Sequence, residues 1–227
     1  MRVLRGRGPD VERDHDRTRD LVARVAERRV PALRVWTSHR QVAFGRRDAN
    51  RKGYERARKR ARERGYAVVE RSVGGRAVAF TGSTVAFVLA EPVETPRGGI
   101  QHRYDRVAAT VRAALAACGA DLHDGEPPDS FCPGSHSLRH EGKVVGLAQR
   151  VRQQVAVTAG VVVVDDPGAV ADVLEPVYAA LNVPFDPGSV GSVARAGGPA
   201  DPRPVARALE GALVGGRPVT VARVRDT

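Results

Sequence analysis

Aromatic residues are scarce: Phe, Trp and Tyr make up 4% of the 227 residues, with one Trp and one Met. A core of this size must therefore be built from Val, Ala and Leu, which the 42% hydrophobic content allows. No apolar run of about 18 residues occurs, which excludes a membrane-spanning helix and a membrane partner. The start, MRVLRGRGPDVERDHD, is charged and has no apolar stretch of the secretory kind, so the expectation is a cytoplasmic protein. Only two cysteines are present, Cys118 and Cys132, and in such a compartment free thiols are expected rather than a disulfide. No CxxC pair, HExxH or His/Cys cluster appears, so no metal site is expected.

Basic residues are in excess, with 37 Lys and Arg against 26 Asp and Glu, a net charge of +11 that calls for a negative partner. The density is greatest in RRDANRKGYERARKRARERG, near residues 46–64, where Glu55 and Glu63 interleave with arginines as on a solvated helix face. No aromatics are spaced along it as a stacking platform, so an acidic protein is preferred to nucleic acid.

Periodicity predicts a helix over 12–29 with Leu21, Val22 and Val25 inward, stopped by Pro31. Residues 32–44 read as strand, loop, strand; 51–64 as a helix closed by Gly65; and 66–70 as a strand. A turn over 71–76 leads to a strand pair at 76–80 and 84–90, hinged on Thr81-Gly82-Ser83. Further helices are expected at 102–118 (Tyr104, Val107, Val111 and Leu115 inward), 168–181 and 201–214, with strands at 143–149 and 155–165 and a strand or frayed tail at the end. Helices alternating with paired strands predict an α/β or α+β fold, a single domain over 1–227 with a mixed, largely antiparallel sheet. Its motif-bearing core spans 30–181, and 182–227 is an appendage read as core cover.

Three features carry chemistry. Gly74-Gly75 is either a plain hairpin turn or, with Arg71, Ser72 and Arg76 beside exposed N–H groups, a cradle for an anion or carbonyl. It is not a Walker motif. Cys132, between Phe131 and Pro133-Gly134 in a polar loop, faces Lys143 across a predicted turn, and a nearby ammonium favours the nucleophilic thiolate. Cys118, inside AALAACGA, reads as core packing. His136 and His140 are four apart but not on one helix face; a base for Cys132 or plain surface exposure are the readings open to them.

Three stretches in order carry a resemblance: LRVWTSHRQVAFGRRDAN, VVERSVGGRAVAFTGSTVAF and FCPGSHSLRHEGKVVGLAQRVRQQVAV. The first is similar to a strand–loop–strand ending in a Gly-Arg signature. VVERSVGGRAVAFTGSTVAF resembles an Arg-Arg-x-Ser-Gly-Gly-Gly acyl-binding loop, and the third stretch a Gly-Lys-Lys-x-x-Gly-x-x-Gln-Arg signature. Together, over about residues 30–165, the chain resembles the lipoate–protein ligase and octanoyltransferase superfamily, related in fold to biotin protein ligases. The Cys-Pro-Gly followed by Gly-Lys is most similar to the octanoyl-[glycine cleavage protein H]:protein transferases within it. Here one arginine, Arg71, replaces the usual pair, Arg76 stands where a third glycine is common, and Val144 follows Lys143.

The resemblance implies a mixed-sheet fold and transfer of an octanoyl or lipoyl group to a lysine of a lipoyl domain through a thioester on Cys132. It implies that Lys143 holds the acyl carbonyl and favours the thiolate, that Arg71, Ser72, Gly74 and Gly75 line the acyl pocket, and that Arg76, Gly146 and Gln149 join the substrate contacts. Lipoate or octanoate would be the substrate group, with no cofactor needed for transfer. Glycine cleavage protein H and the lipoyl domains of 2-oxoacid dehydrogenases would be the partners, or acyl carrier protein as a donor. The rival readings are an ATP- and Mg-dependent lipoate ligase acting through lipoyl-AMP, with Cys132 incidental, and a non-catalytic basic binding module.

Overall fold

A computed structural model describes residues 1–71, 73–95, 98–152 and 154–224. In chain order the strands are β1 (Arg2–Arg5), β2 (Ala32–Thr37), β3 (Gln41–Phe44), β4 (Ala67–Glu70), β5 (Val78–Phe80), β6 (Thr84–Pro92), β7 (His123–Asp124), β8 (Leu138–Arg139), β9 (Lys143–Arg152), β10 (Val155–Val163) and β11 (Thr220–Arg223). The helices are α1 (Val11–Arg28), α2 (Arg46–Ala49), α3 (Tyr54–Glu63), α4 (Ile100–Ala116), α5 (Pro167–Leu181) and α6 (Pro202–Val214).

The β-branched runs of β6 and β10 form the centre of an eight-stranded mixed sheet ordered β11-β1-β2-β6-β10-β9-β8-β7, antiparallel from β2 to β7. Its other end is parallel, β1 lying between β2 and β11. A second sheet, β4-β3-β5, holds three strands. The expected strand pair at 76–80 and 84–90 is therefore no hairpin: β5 pairs with β3 in the small sheet, and β6 with β2 and β10 in the large one. Likewise β2 and β3, contiguous in sequence, part into different sheets. Alternating apolar residues specify a strand but not its partner, and the chain crosses between layers at Ser38–Arg40 and Thr81–Ser83. β1 was not expected, because RVLR sits in a charged segment.

α4 and α6 cover one face of the large sheet, with Val107, Val111, Leu115, Val205, Leu209 and Leu213 packed on Leu33, Val85, Leu89, Val145 and Val162. On the opposite face the small sheet joins α3 and α5 in a second core around Phe44, Ala57, Val78, Val170, Leu174 and Leu181. Beside it α1, capped by the Asp10 carboxylate on Arg13 N at 2.7 Å, lays Leu21 and Val25 on Ala32, Ala90 and Val155. A fully buried pair fixes α1 to β2, Arg34 Nη2 donating to Asp14 Oδ1 at 2.5 Å. The gap left between α1, the small sheet and β9–β10 is the cavity that matters below. Basic α3 behaves as its sequence suggests, with Arg58–Glu55 and Arg60–Glu63 pairs along its surface. Cys118 lies half-buried in the turn after α4, not in the core as expected, and both cysteines are free. Among the described residues no helix is long and apolar enough to cross a membrane.

Candidate active site

Cys132 lies in the loop between β7 and β8 in a left-handed backbone conformation, φ 44°. That region is disfavoured for a side-chain-bearing residue, so the loop must be held from outside. Two side chains hold it. The buried Tyr178 hydroxyl on α5 accepts from Cys132 N at 2.6 Å and donates to Ala77 O at 3.0 Å, joining the loop to the start of β5. Lys143, 1% exposed at the start of β9, donates to Phe131 O at 2.9 Å and Cys132 O at 3.0 Å. Its remaining hydrogen faces Glu126, whose carboxylate oxygens are 3.0 and 3.1 Å away. Glu126 also accepts from Ser130 Oγ and from Gly134 N, so one carboxylate closes the loop on both sides of Cys132.

The sulfur points at the glycine loop. Arg71 Nη2 donates to Cys132 Sγ at 2.9 Å and to Arg76 O at 2.6 Å. The guanidinium fits because Gly74, at φ 89°, has no Cβ: one there would lie 2.4 Å from Arg71 Nη1. Burial pushes the Cys132 thiol up. Arg71, the backbone N–H of Arg76, Lys143 and the N–H of Gly75 outweigh burial and hold the thiol below its ordinary value. These donors and charges favour the thiolate more than a free thiol's surroundings do.

The Gly-Arg signature supports this loop from below. A Cβ on Gly45 would sit 2.3 Å from Gly75 C, and Arg47 N donates to Gly75 O at 3.1 Å. Asp48, fully buried, accepts from Gly45 N at 3.1 Å and from Arg76 Nη1 at 3.3 Å. Burial raises its pKa, and the Gly45 N–H and Arg76 oppose that. Arg76 is thus a strut under the loop. The segment after α5 takes part as well: Gly191 N donates to Lys143 O at 3.0 Å, and a Cβ on Gly142 would meet Gly191 N at 2.6 Å. The region 182–227 is therefore more than cover, since it holds the lysine's backbone.

Cys132, Arg71 and Lys143 stand at one end of a cavity of about 570 Å³, within the range of small-molecule sites. Its floor is four strands in register: Trp36, Ala86, Val161 and Gly146 nearest Lys143, then Val88, Ala159 and Ala148, then Val157 and Arg150. Val22, Ala23 and Ala26 of α1 and Val78 and Phe80 of β5 form the walls. Arg150 and Arg152 line the cavity, and Arg150's pKa is lowered by slight burial first and then by the charges of Arg46 and Arg152.

The sequence-derived residues separate accordingly. Cys132, Lys143, Arg71 and Gly146 line the cavity; Gly74, Gly75 and Arg76 shape the loop around Arg71; Ser72 lies outside the described residues. Gln149 faces the other way on β9, its N donating to Tyr104 OH at 2.7 Å and its Oε1 accepting from Arg103 Nε at 3.1 Å on α4. His136 stacks on Tyr104 with centroids 4.0 Å apart, and His140 Nδ1 is 3.0 Å from Asp121 O, so neither is placed as a base on the sulfur. Glu126 and Tyr178 were missed. Tyr178 reads as one more apolar-face residue of a helix, and Glu126 is a lone acid before Pro127-Pro128, so neither announces itself.

Residues 13–185 match the family described as "Lipoyl protein ligase A/B catalytic domain". The octanoyl-[GcvH]:protein N-octanoyltransferase of Geobacillus kaustophilus is 35% identical over 127 residues, which are 55% of this chain and 45% of that protein. The lipoyl-[GcvH]:protein N-lipoyltransferase of Listeria monocytogenes is 28% identical over 137 residues, 59% of this chain and 49% of that one. The chain thus matches about half the length of these curated relatives. In fold it is similar to lipoate-protein ligase A solved with ATP: TM-score 0.76, 17% identity, covering 99% of this chain and 89% of that one. With the matched region spanning both signature loops, the chain belongs to the lipoyl protein ligase A/B catalytic-domain family.

Proposed function

We propose that the protein is an acyltransferase that moves an octanoyl or lipoyl group from a lysine of glycine cleavage protein H to a lysine of a lipoyl domain through a thioester on Cys132. The observation carrying this reading is the Cys132 sulfur, 2.9 Å from Arg71, at the head of an apolar slot. The Cys132 thiolate attacks the amide carbonyl of the donor, and the developing oxyanion lies among the Arg71 guanidinium and the N–H groups of Gly75 and Arg76, the donors gathered round the sulfur. The C–N bond breaks, the leaving lysine takes up a proton, and the thioester remains. The amine of the acceptor lysine then attacks the thioester, loses its proton, and Cys132 leaves as thiolate. The proton count balances over the two steps, and no nucleotide is consumed.

Lys143 acts differently from the sequence expectation that it holds the acyl carbonyl. Its ammonium hydrogens are occupied by Glu126, Phe131 O and Cys132 O, so it supplies a fixed positive charge and fastens the nucleophile's loop. The slot receives the chain: burying an octanoyl tail contributes about 5 kcal/mol at about 0.8 kcal/mol per CH₂, and Gly146, Ala148, Ala159 and Ala86 leave room for it. Arg150 and Arg152 of the cavity lining, with the charge of Arg46 near enough to act on Arg150, suit an acidic carrier domain. The test is transfer from octanoylated glycine cleavage protein H to a lipoyl domain without ATP. Transfer that is present in wild type and absent in Cys132→Ala supports the reading; transfer only with ATP and free lipoate or octanoate makes the protein a ligase.

A further inference from the structure

The acyl-enzyme faces a hazard of its own making. The second half-reaction is attack of a lysine amine on the Cys132 thioester, and the chain buries a lysine, Lys143, with Nζ 3.0 Å from the backbone carbonyl oxygen of Cys132. An intramolecular amine acts at an effective concentration far above that of any acceptor in solution. Only the neutral amine attacks. Burial drives Lys143 toward that neutral form; Glu126 opposes burial most, Cys132 next, while Arg71 adds to it. Once Cys132 is acylated its negative charge is gone, and Glu126 is the remaining anion that favours the ammonium.

Resting on the thioester reading above, we propose that Glu126 guards the acyl-enzyme against its own lysine. Its carboxylate keeps Lys143 protonated and turned onto Phe131 O and Cys132 O, and so blocks transfer of the acyl group from Cys132 Sγ to Lys143 Nζ. The blocked step is an S-to-N shift: the S–C bond breaks, an N–C amide bond forms, and the proton lost from nitrogen goes to the thiolate. The product holds the acyl group as an amide on the buried Lys143, which returns to the freed Cys132 sulfur only by amide opening, the harder of the two acyl transfers. The geometry supports a dedicated role. Glu126 is part-buried, with 22% of its side chain exposed, and accepts from Ser130 Oγ and Gly134 N as well, so its position is set independently of the lysine.

The experiment charges wild type and Glu126→Gln with octanoylated glycine cleavage protein H, then treats each with hydroxylamine, which cleaves thioesters and spares amides. Wild type should release its octanoyl mass. Glu126→Gln should retain a resistant adduct that peptide mapping places on Lys143, forming about tenfold faster for each pKa unit by which Glu126 had favoured the ammonium. The same resistant adduct should appear in wild type as the pH is raised, which tests the idea even where the variant does not charge. An adduct that stays hydroxylamine-labile in the variant and in alkaline wild type overturns the guard while leaving the thioester standing. Wild type that never takes up octanoyl overturns both.

Discussion

Arg71 and Cys132, 61 residues apart in sequence, meet at 2.9 Å, and the guanidinium that touches the sulfur also binds Arg76 O. One arginine thereby joins the glycine loop to the nucleophile's loop, and a charge that favours the thiolate belongs to the same group that fixes its surroundings.

Replacing Arg71 with Met removes a charge-assisted hydrogen bond worth about 1.5–3 kcal/mol. Arg71 favours the charged form, so the variant's thiol deprotonates later: the pH midpoint of Cys132 alkylation by iodoacetamide should rise by about one to two pH units. Acylation at neutral pH should fall about 10- to 100-fold with it. An unmoved alkylation profile contradicts the pairing.

Tyr178→Phe deletes the hydroxyl between Cys132 N and Ala77 O. An N–H left without a partner costs about 1–3 kcal/mol, to be read from chemical denaturation. Cys132 should relax from its left-handed φ of 44°, so kcat should fall while KM for the donor changes little. Loss of stability with an unchanged kcat would mean that Tyr178 is core packing alone.

Gly45→Ala is a purely steric test, because its backbone φ of −90° suits any residue while the added Cβ would lie 2.3 Å from Gly75 C. The glycine loop must move, and overpacking of this kind costs about 1–3 kcal/mol. Thioester formation should drop in parallel with a rise in the alkylation midpoint. Full activity would mean that the two loops are independent.

Ala148→Leu or Ala159→Leu places branched carbons on the slot floor between β9 and β10. Each methylene of acyl chain that no longer fits forfeits about 0.8 kcal/mol, roughly fourfold in preference. Competition between octanoyl and butanoyl donors should therefore swing toward the shorter chain. An unchanged ratio places the tail elsewhere.

Much of this was legible in sequence where chemistry is local. Cys132 before Pro133-Gly134, Lys143 after Gly142 and the glycine pair at 74–75 lie in short segments whose residue types already limit their backbone. The long helices were equally legible, since apolar spacing and stops such as Pro31 act within a turn or two. Partnership was not. β2 and β3, and β5 and β6, follow each other directly yet enter different sheets, and nothing in alternation encodes which edge a strand will meet. The same limit hid α1 as a wall of the slot, Tyr178 as the support of Cys132 N, and the direction of Lys143, which depends on Glu126 17 residues away.

The central claim is a covalent one, and rapid mixing of the enzyme with octanoylated glycine cleavage protein H, without ATP or acceptor, followed by acid quench and peptide mapping tests it most directly. The account predicts an octanoyl group on the Cys132 peptide, formed in a single burst and absent in Cys132→Ser. No acyl-peptide during turnover, or one carried by another residue, contradicts it.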